Sequence, residues 1–187
     1  MKIDPLKGWH RYTELMNQQE DPRFRAMLDN MRHHLKYECL GDPEIFNTMV
    51  PEPDYRFYPA FGASVLQGMP AIKDFYHNMW DGCQSLVELA IHRCAPGDWG
   101  VACDGEWLQQ IPGETLIADG NEDVDADAWY ISHAHLAWFF KHSRHTLDVA
   151  ILSLQIEGTA LANERESSLT DTTLAILVRC VAQLATV

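Results

Sequence analysis

The spacing of apolar side chains predicts a long helix near the start of the chain. Between Asp21 and Gly41 the apolar residues recur every three or four positions, at Phe24, Met27, Leu28, Met31, Leu35 and Cys39. Asp21 is a suitable N-cap, Pro22 fits the first helical turn, and Gly41 is typical of a helix end. We therefore predict a helix from Asp21 to about Gly41.

Three shorter elements are expected next. Asp42 and Pro43 restart a short helix, which Pro51 ends. The aromatic segment DYRFYPAFG predicts a short strand, which its proline confines to a sheet edge, a bulge or a strand end. Gly68 then leads into MPAIKDFYHNMW, whose apolar residues again keep helical spacing and predict a third helix.

Beyond this helix the hydrophobic period changes to two, which indicates strands. The segment SLVELAIHRC alternates, and Pro96, Gly97 and Asp98 supply a turn into WGVACDGEWLQQ, so we predict paired antiparallel strands. An acidic connector, ADGNEDVDAD, precedes two further candidate strands, AWYISHAHLAWFF and DVAILSLQIEG.

Helices followed by long antiparallel strands favour an α+β domain with helices packed on one face of a curved sheet. Residues 1–20 are polar, with Trp9 and Tyr12 as their large anchors, and we predict an N-terminal extension that is laid over the domain or partly disordered. The domain is expected to span residues 21–160. Residues 161–187 are expected to form a tail that is compatible with helix or strand.

Composition and charge narrow the function classes. The 187 residues are 47% hydrophobic, as in an ordinary globular domain, and the net charge of −13 opposes nucleic-acid binding. Five cysteines without a CxxC pair, and an N-terminus without an apolar leader, favour a reducing cytoplasm. The most apolar C-terminal run is interrupted by Arg179 and Gln183, so we expect a soluble protein that does not cross a membrane.

The order helix, Gly-Asp, helix, strand, glycine, helix, together with the string GMPAIKDFY, resembles the nuclear transport factor two-like superfamily over about residues 24–140. This superfamily includes ketosteroid isomerases, SnoaL-like polyketide cyclases, scytalone dehydratase and limonene epoxide hydrolase. The resemblance implies a cone, in which a strongly bent sheet wraps around the first helices and leaves a deep apolar pocket. It also implies a homodimer, because members of the superfamily often dimerise.

The resemblance carries over to only some functional positions. The catalytic aspartate of ketosteroid isomerases falls at about Pro59, which cannot take a proton. Their oxyanion-hole tyrosine falls close to His34, and their second hydrogen-bonding acid falls near His135. The comparison thus implies a shared scaffold with altered chemistry.

His34 and Glu38 are the first candidate catalytic pair. They lie four residues apart on the long helix, beside its apolar stripe, so both can face the interior. A carboxylate that orients an imidazole fixes its tautomer and raises its basicity, which suits a general base. The alternative is that His34 and Glu38 form a solvated surface pair. His33 and Tyr37 form a second pair at the same spacing, further around the helix.

His133 and His135 are the second candidate pair. They lie two apart on a predicted strand and share one face with Phe139, whereas the other face carries Leu136, Trp138 and Phe140. If the histidine face lines the pocket, these rings can donate hydrogen bonds to a developing oxyanion. Otherwise they mark the outward side of the sheet.

Aromatic and acidic residues complete the candidate ligand-binding set. Its members are Tyr37, Tyr55, Tyr58, Asp104, Trp107 and Phe139. Asp104 interrupts an apolar strand, which suits an ionisable site residue, although an Asp104-Gly105 hairpin bend explains it equally well.

No HExxH, CxxC, GxSxG or glycine-rich phosphate motif occurs, so we expect neither a metal nor a cofactor. The leading hypothesis is a cofactor-independent isomerase, cyclase or dehydratase that acts on a small apolar cyclic substrate. His34 would move the proton, and His135, with His133 or Tyr58, would stabilise the oxyanion. The alternatives are a non-catalytic ligand-binding or dimerisation module of the same fold, or an epoxide hydrolase that uses Asp104 and Arg93.

Overall fold

The computed structural model describes residues 2–51, 53–58, 64–141 and 152–163. The elements in chain order are α1 (Leu6–Asn17), α2 (Pro22–Leu40), a 3-10 helix (Pro43–Thr48), β1 (Asp54–Tyr58), β2 (Ser64–Gln67), α3 (Gly68–Asp81), β3 (Val87–Gly97), β4 (Gly100–Pro112), α4 (Gly113–Ala118), β5 (Trp129–Lys141) and β6 (Leu152–Asn163).

The long helix α2 has the boundaries that the sequence predicts. The Asp21 carboxylate accepts a hydrogen bond from the backbone N–H of Arg23 at 2.7 Å, which caps the N-terminus. Gly41 ends the helix in the left-handed conformation, with φ of 64°, which glycine adopts without a steric penalty. The 3-10 helix follows Asp42, whose side chain caps it in the same way.

Helix α1 lies in the segment that is expected to be laid over the domain or partly disordered. Residues 6–17 are helical, and Tyr12 is fully buried in the hydrophobic core. The helix packs against α2 and β3, and it approaches so closely that a side chain at Gly8 would meet Leu35 and Leu89. The buried positions Gly8, Trp9, Tyr12 and Leu15 keep helical spacing, but four positions, one of them a glycine, are a weak sequence signal.

The strands form one six-stranded sheet in the order β2-β1-β6-β5-β4-β3. The strands β3 to β6 are joined as antiparallel neighbours, whereas β1 pairs parallel to β6. The α+β class is confirmed. The predicted turn between β3 and β4 is also confirmed, because Gly97 pairs with Gly100.

Three local features differ from the sequence prediction. The predicted alternative of a hairpin bend at Asp104-Gly105 is wrong. Strand β4 continues through both residues and pairs with β3 and β5 on either side. The elements β2 and α4, of four and six residues, were not predicted because such short segments carry little periodicity.

The expected C-terminal tail lies outside the described residues from position 164 onwards.

Candidate functional site

A cavity of about 440 Å³ lies between the helices and one face of the sheet. Helices α2 and α3 contribute Met31, Leu35 and Met79 to its wall, and the sheet contributes apolar side chains of β3, β4 and β5. Asn78 is exposed and Gln84 is half-buried at the edge of the cavity, so it opens to solvent there. Its volume falls in the range of about 300–1,000 Å³ that small-molecule sites occupy.

The alternation of side chains along β4 and β5 decides which candidates reach the cavity. Trp107 of β4 and Leu136 and Trp138 of β5 line it. Because neighbouring residues of a strand point to opposite faces, Glu106 and His135, which pair directly, lie on the other face. We call the face that carries Glu106 and His135 the outer face.

The placement of His133 and His135 in the pocket is therefore wrong. His133 Nε2 lies 2.5 Å from one oxygen of Glu106, and His135 Nδ1 lies 2.9 Å from the other. These contacts hold both rings on the outer face, as the alternative hypothesis states. Phe139 also lies on this face, is 37% exposed, and contacts the ring of Trp99.

Asp104 belongs to the outer face as well. Its carboxylate forms hydrogen bonds with the guanidinium of Arg93, and this pairing lowers the pKa of Asp104. The two residues are thus engaged with each other outside the cavity. This removes the support that they gave to an epoxide-hydrolase site in the pocket.

His34 lines the cavity, as predicted, and is only 3% exposed. Its Nδ1 lies 2.7 Å from the Thr48 hydroxyl, and its Nε2 lies 3.0 Å from the Tyr76 hydroxyl. The Thr48 hydroxyl donates its proton to the Ile45 carbonyl at 2.6 Å, so it accepts from His34. The proton of the neutral ring therefore resides on Nδ1, and Nε2 accepts from Tyr76.

This network changes the role expected for His34. Burial lowers the pKa of His34 to about 3, so the ring is neutral at physiological pH and is a poor proton acceptor. Both ring nitrogens are also engaged by Thr48 and Tyr76. His34 is suited to hold Tyr76 in position rather than to act as the general base.

Glu38 lies beside His34 but is not hydrogen-bonded to it. The distance between Glu38 Oε2 and His34 Nε2 is 4.0 Å, and the Glu38 carboxyl group has no hydrogen-bond partner among the described residues. It lines the cavity and is 6% exposed. Burial raises the pKa of Glu38 to about 8, because an ionised carboxylate is poorly solvated in this apolar surrounding.

Tyr12 of α1 adds a hydroxyl group to the same cavity. Within the described part of the chain its hydrogen-bond contact is with Cys103 Sγ, at 4.0 Å, which is long and weak. Burial raises the pKa of Tyr12 well above its usual value, with smaller contributions from Cys103, Cys94 and Glu38. Tyr12 therefore keeps its proton and is available as a donor.

The remaining aromatic candidates have different positions. Trp107 lines the cavity, whereas Tyr55 lies behind its wall, with its hydroxyl 3.3 Å from that of Tyr76. Tyr37 packs against the core beside His33 and away from the cavity. The side chain of Tyr58 lies outside the described residues.

The sequence does not predict the polar residues Tyr12, Tyr76, Asn78, Gln84 and Gln109 in the cavity wall. Tyr76 was assigned to the apolar stripe of α3, and Tyr12 was assigned to the extension. The signal that could have identified them is chemical, because a tyrosine within an apolar stripe needs a partner for its hydroxyl group.

Three side chains on the outer face could hold a metal ion. Ligand atoms of His92, Glu106 and His135 lie within 4.8 Å of one another. The sequence contains no motif for this set because its members come from three different strands.

No protein-family model matches this sequence, and no curated protein matches it either. Among the helices in the described ranges, none is long and apolar enough to pass through a bilayer.

Proposed function

We propose that this protein is an enzyme that transfers a proton next to a carbonyl or hydroxyl group of a small, apolar, cyclic substrate. The reaction is an isomerisation, a cyclisation or a dehydration. The observation that carries the proposal is the Glu38 carboxyl group, which is buried in the wall of an apolar cavity without a hydrogen-bond partner among the described residues.

Glu38 is the proton-transfer residue in this proposal. A pKa of about 8 makes its carboxylate a stronger base than an ordinary glutamate, while a useful fraction is ionised near neutral pH. In an isomerisation, the carboxylate takes a proton from the carbon next to the carbonyl group and returns it to a second carbon. Glu38 ends each cycle in its initial state.

Tyr12 supplies the hydrogen bond that stabilises the intermediate. As the proton leaves carbon, negative charge develops on the carbonyl oxygen, and a hydroxyl group in a dry cavity stabilises that charge strongly. Tyr12 is preferred over Tyr76 because the Tyr76 proton is engaged by His34 Nε2 at 3.0 Å. His34 is a positioning residue for Tyr76.

The fold proposed for the protein is the one that the sequence resemblance implies. The protein is proposed to be a cone-shaped member of the nuclear transport factor two-like superfamily and to act as a homodimer in the cytoplasm. The cavity between the helices and the sheet is consistent with such a scaffold.

The second candidate function is a non-catalytic module that binds an apolar ligand. It is favoured by the two indole rings, Trp107 and Trp138, in the cavity wall, since aromatic walls suit flat apolar ligands. Both functions require binding in the cavity. They differ in whether Glu38 exchanges protons with the ligand.

The distinguishing experiment is hydrogen–deuterium exchange of small cyclic ketones in D2O, followed by proton NMR. Ligands are first selected by quenching of tryptophan fluorescence, to which Trp107 and Trp138 in the cavity wall contribute among the six tryptophans of the chain. The wild type should accelerate exchange next to the carbonyl group, with a rate that rises with pH and levels off above about 8.

Glu38→Gln should bind the same ketones and lose at least about 100-fold in exchange rate. The matched control is Glu20→Gln, which neutralises an exposed carboxylate and should leave exchange unchanged. Binding without accelerated exchange in the wild type would reject the enzyme and favour the binding module.

A further inference from the structure

The outer face carries a cluster of three histidines and two carboxylates that the cavity does not use. His92, Glu106 and His135 come from the adjacent strands β3, β4 and β5, and their ligand atoms lie within 4.8 Å of one another. The rings of His92 and His135 are 5.7 Å apart between centroids. This arrangement is independent of the proposed function.

The backbone brings these residues together through two local features. The pairing of β3 with β4 shifts between Ile91 and Arg93, so His92 is the extra residue of a β-bulge. Opposite Ile91, Gly105 allows close approach of the strands, since a Cβ atom there would lie 2.1 Å from the Ala90 carbonyl oxygen. The bulge places His92 beside the directly paired residues Glu106 and His135.

We propose that His92, Glu106 and His135 bind a divalent transition-metal ion of the zinc type. Two imidazole nitrogens and one carboxylate oxygen suit Zn²⁺, whereas Mg²⁺ and Ca²⁺ prefer oxygen ligands alone. Ligand atoms around a tetrahedral zinc ion are about 3.3 Å apart, so modest side-chain rotations close the site. Water completes the coordination, because His92 is exposed.

Two neighbours are placed to orient the ligands. His133 Nε2 lies 2.5 Å from the second oxygen of Glu106, which leaves the first oxygen directed at His135. His135 Nε2 lies 3.6 Å from an oxygen of Asp104, which Arg93 holds on its other side. Carboxylate partners of this kind fix the orientation of metal-bound histidines.

The charge of the protein favours a cation at this site. The chain has 27 acidic residues against 14 basic ones, so the average potential around it is negative. The charge of Arg93, which lies beside Asp104 on this face, is balanced by that carboxylate through paired hydrogen bonds.

The test uses the full-length, tag-free chain, stripped with a chelator and titrated with ZnCl2 alone. Calorimetry or competition with a chromogenic zinc indicator should show one tight site per chain. Co²⁺ titration provides a second readout, since nitrogen and oxygen ligands in a low-coordinate site give visible absorption bands that aqueous cobalt lacks. Absence of saturable zinc binding in the micromolar range would overturn the proposal.

The variant His92→Ala is the most informative, because His92 makes no hydrogen bond within the described residues and its removal should not affect folding. Zinc affinity should fall at least tenfold in His92→Ala and in Glu106→Gln. The matched control is His10→Ala, which removes an exposed histidine on α1 and should keep full affinity. Equal affinity in His92→Ala and the wild type would place the bound zinc elsewhere and reject this site.

His133→Ala separates positioning from ligation. His133 touches only Glu106 in the proposed site, so its loss should weaken zinc binding less than His92→Ala while the cobalt spectrum keeps its shape. A cobalt spectrum that changes more in His133→Ala than in His92→Ala would contradict the ligand assignment.

Discussion

His34 Nε2 lies 3.0 Å from the Tyr76 hydroxyl, and this contact links α2 to α3 in the cavity wall. The Tyr76 hydroxyl in turn lies 3.3 Å from that of Tyr55 on β1. Together with the contact of His34 to Thr48, the network joins four elements through buried polar atoms. Its members are strongly interdependent, because each one that is removed leaves a buried partner without a hydrogen bond.

The first prediction concerns Tyr76→Phe. The substitution removes the donor to His34 and leaves a buried acceptor unsatisfied, which should lower the free energy of unfolding by about 1–3 kcal/mol. The control is Tyr37→Phe, since the Tyr37 side chain is half-buried and its hydroxyl makes no hydrogen bond within the described residues. This control should change stability by less than about 0.5 kcal/mol in urea unfolding. Equal effects of the two substitutions would contradict the network.

The second prediction is loss of stability at alkaline pH through Glu38. Its pKa rises from the ordinary value of 4.5 in the unfolded chain to about 8 in the folded protein, so the folded state holds the extra proton between these values. The contribution of Glu38 to the free energy of unfolding is fully present below about pH 4.5 and is lost as the pH rises towards 8. The slope approaches about 1.4 kcal/mol per pH unit.

Glu38→Gln should therefore flatten the stability profile between about pH 6.5 and 8, measured by urea unfolding at several pH values. Glu20→Gln serves as the control and should keep the wild-type slope. Parallel wild-type and Glu38→Gln profiles over this range would show that the carboxyl group titrates normally.

The third prediction is the opposite dependence at acid pH through His34. Its pKa falls from 6.5 to about 3 on folding, so the unfolded state binds the extra proton between these values. Stability rises with pH over this interval and is lost as the pH falls towards 3. Between about pH 4.5 and 6.5 the effects of His34 and Glu38 cancel, and a plateau is expected there.

His34→Asn should weaken the acid limb of the profile, to which the lowered pKa of Asp104 also contributes, and leave the alkaline limb in place. Unfolding followed by circular dichroism between pH 3 and 6 measures this difference. A wild-type acid limb that survives the substitution unchanged would assign it to other groups.

The sequence predicted most elements whose signals are local. The cap at Asp21, the left-handed end at Gly41 and the turn before Gly100 each depend on a few neighbouring residues, and all three are present. Helix α1 was not predicted as a helix because its stability depends on burial of Tyr12 against distant elements. That burial does not follow from the local pattern.

The candidate site was also predictable only in part, because a local sequence pattern does not specify contacts between distant elements. Helical spacing correctly placed His34 and Glu38 on the inner side of α2, where both line the cavity. For β5 the alternation identified two faces, but it could not say which one meets the helices, and the histidines lie on the outer one. Whether a side chain donates or accepts a hydrogen bond also depends on partners from other elements, as Thr48 and Tyr76 show for His34.

The fourth prediction tests the cavity as the binding site. Leu136→Trp places an indole ring into the cavity wall and should abolish quenching of tryptophan fluorescence by cyclic ketones, because the added volume occupies the ligand space. Val65→Trp is the control, since Val65 is 49% exposed on β2. Ketone binding that persists in Leu136→Trp with wild-type affinity would place the ligand outside this cavity.

The fifth prediction concerns the close contact of β3 with β4 at Gly105. A Cβ atom there would lie 2.1 Å from the Ala90 carbonyl oxygen, so Gly105→Ala must move the backbone beside the His92 bulge. We expect a loss of about 1–3 kcal/mol in the free energy of unfolding, as for overpacked sites. Gly97→Ala is the matched control at the end of β3, where the added Cβ would meet only the Trp99 side chain, at 3.4 Å. Because Gly105 precedes Glu106 and pairs with Ile91 beside the His92 bulge, Gly105→Ala should weaken zinc binding, whereas Gly97→Ala should not. If the alanine at position 105 is tolerated without either effect, the strands do not approach as closely as this pairing requires.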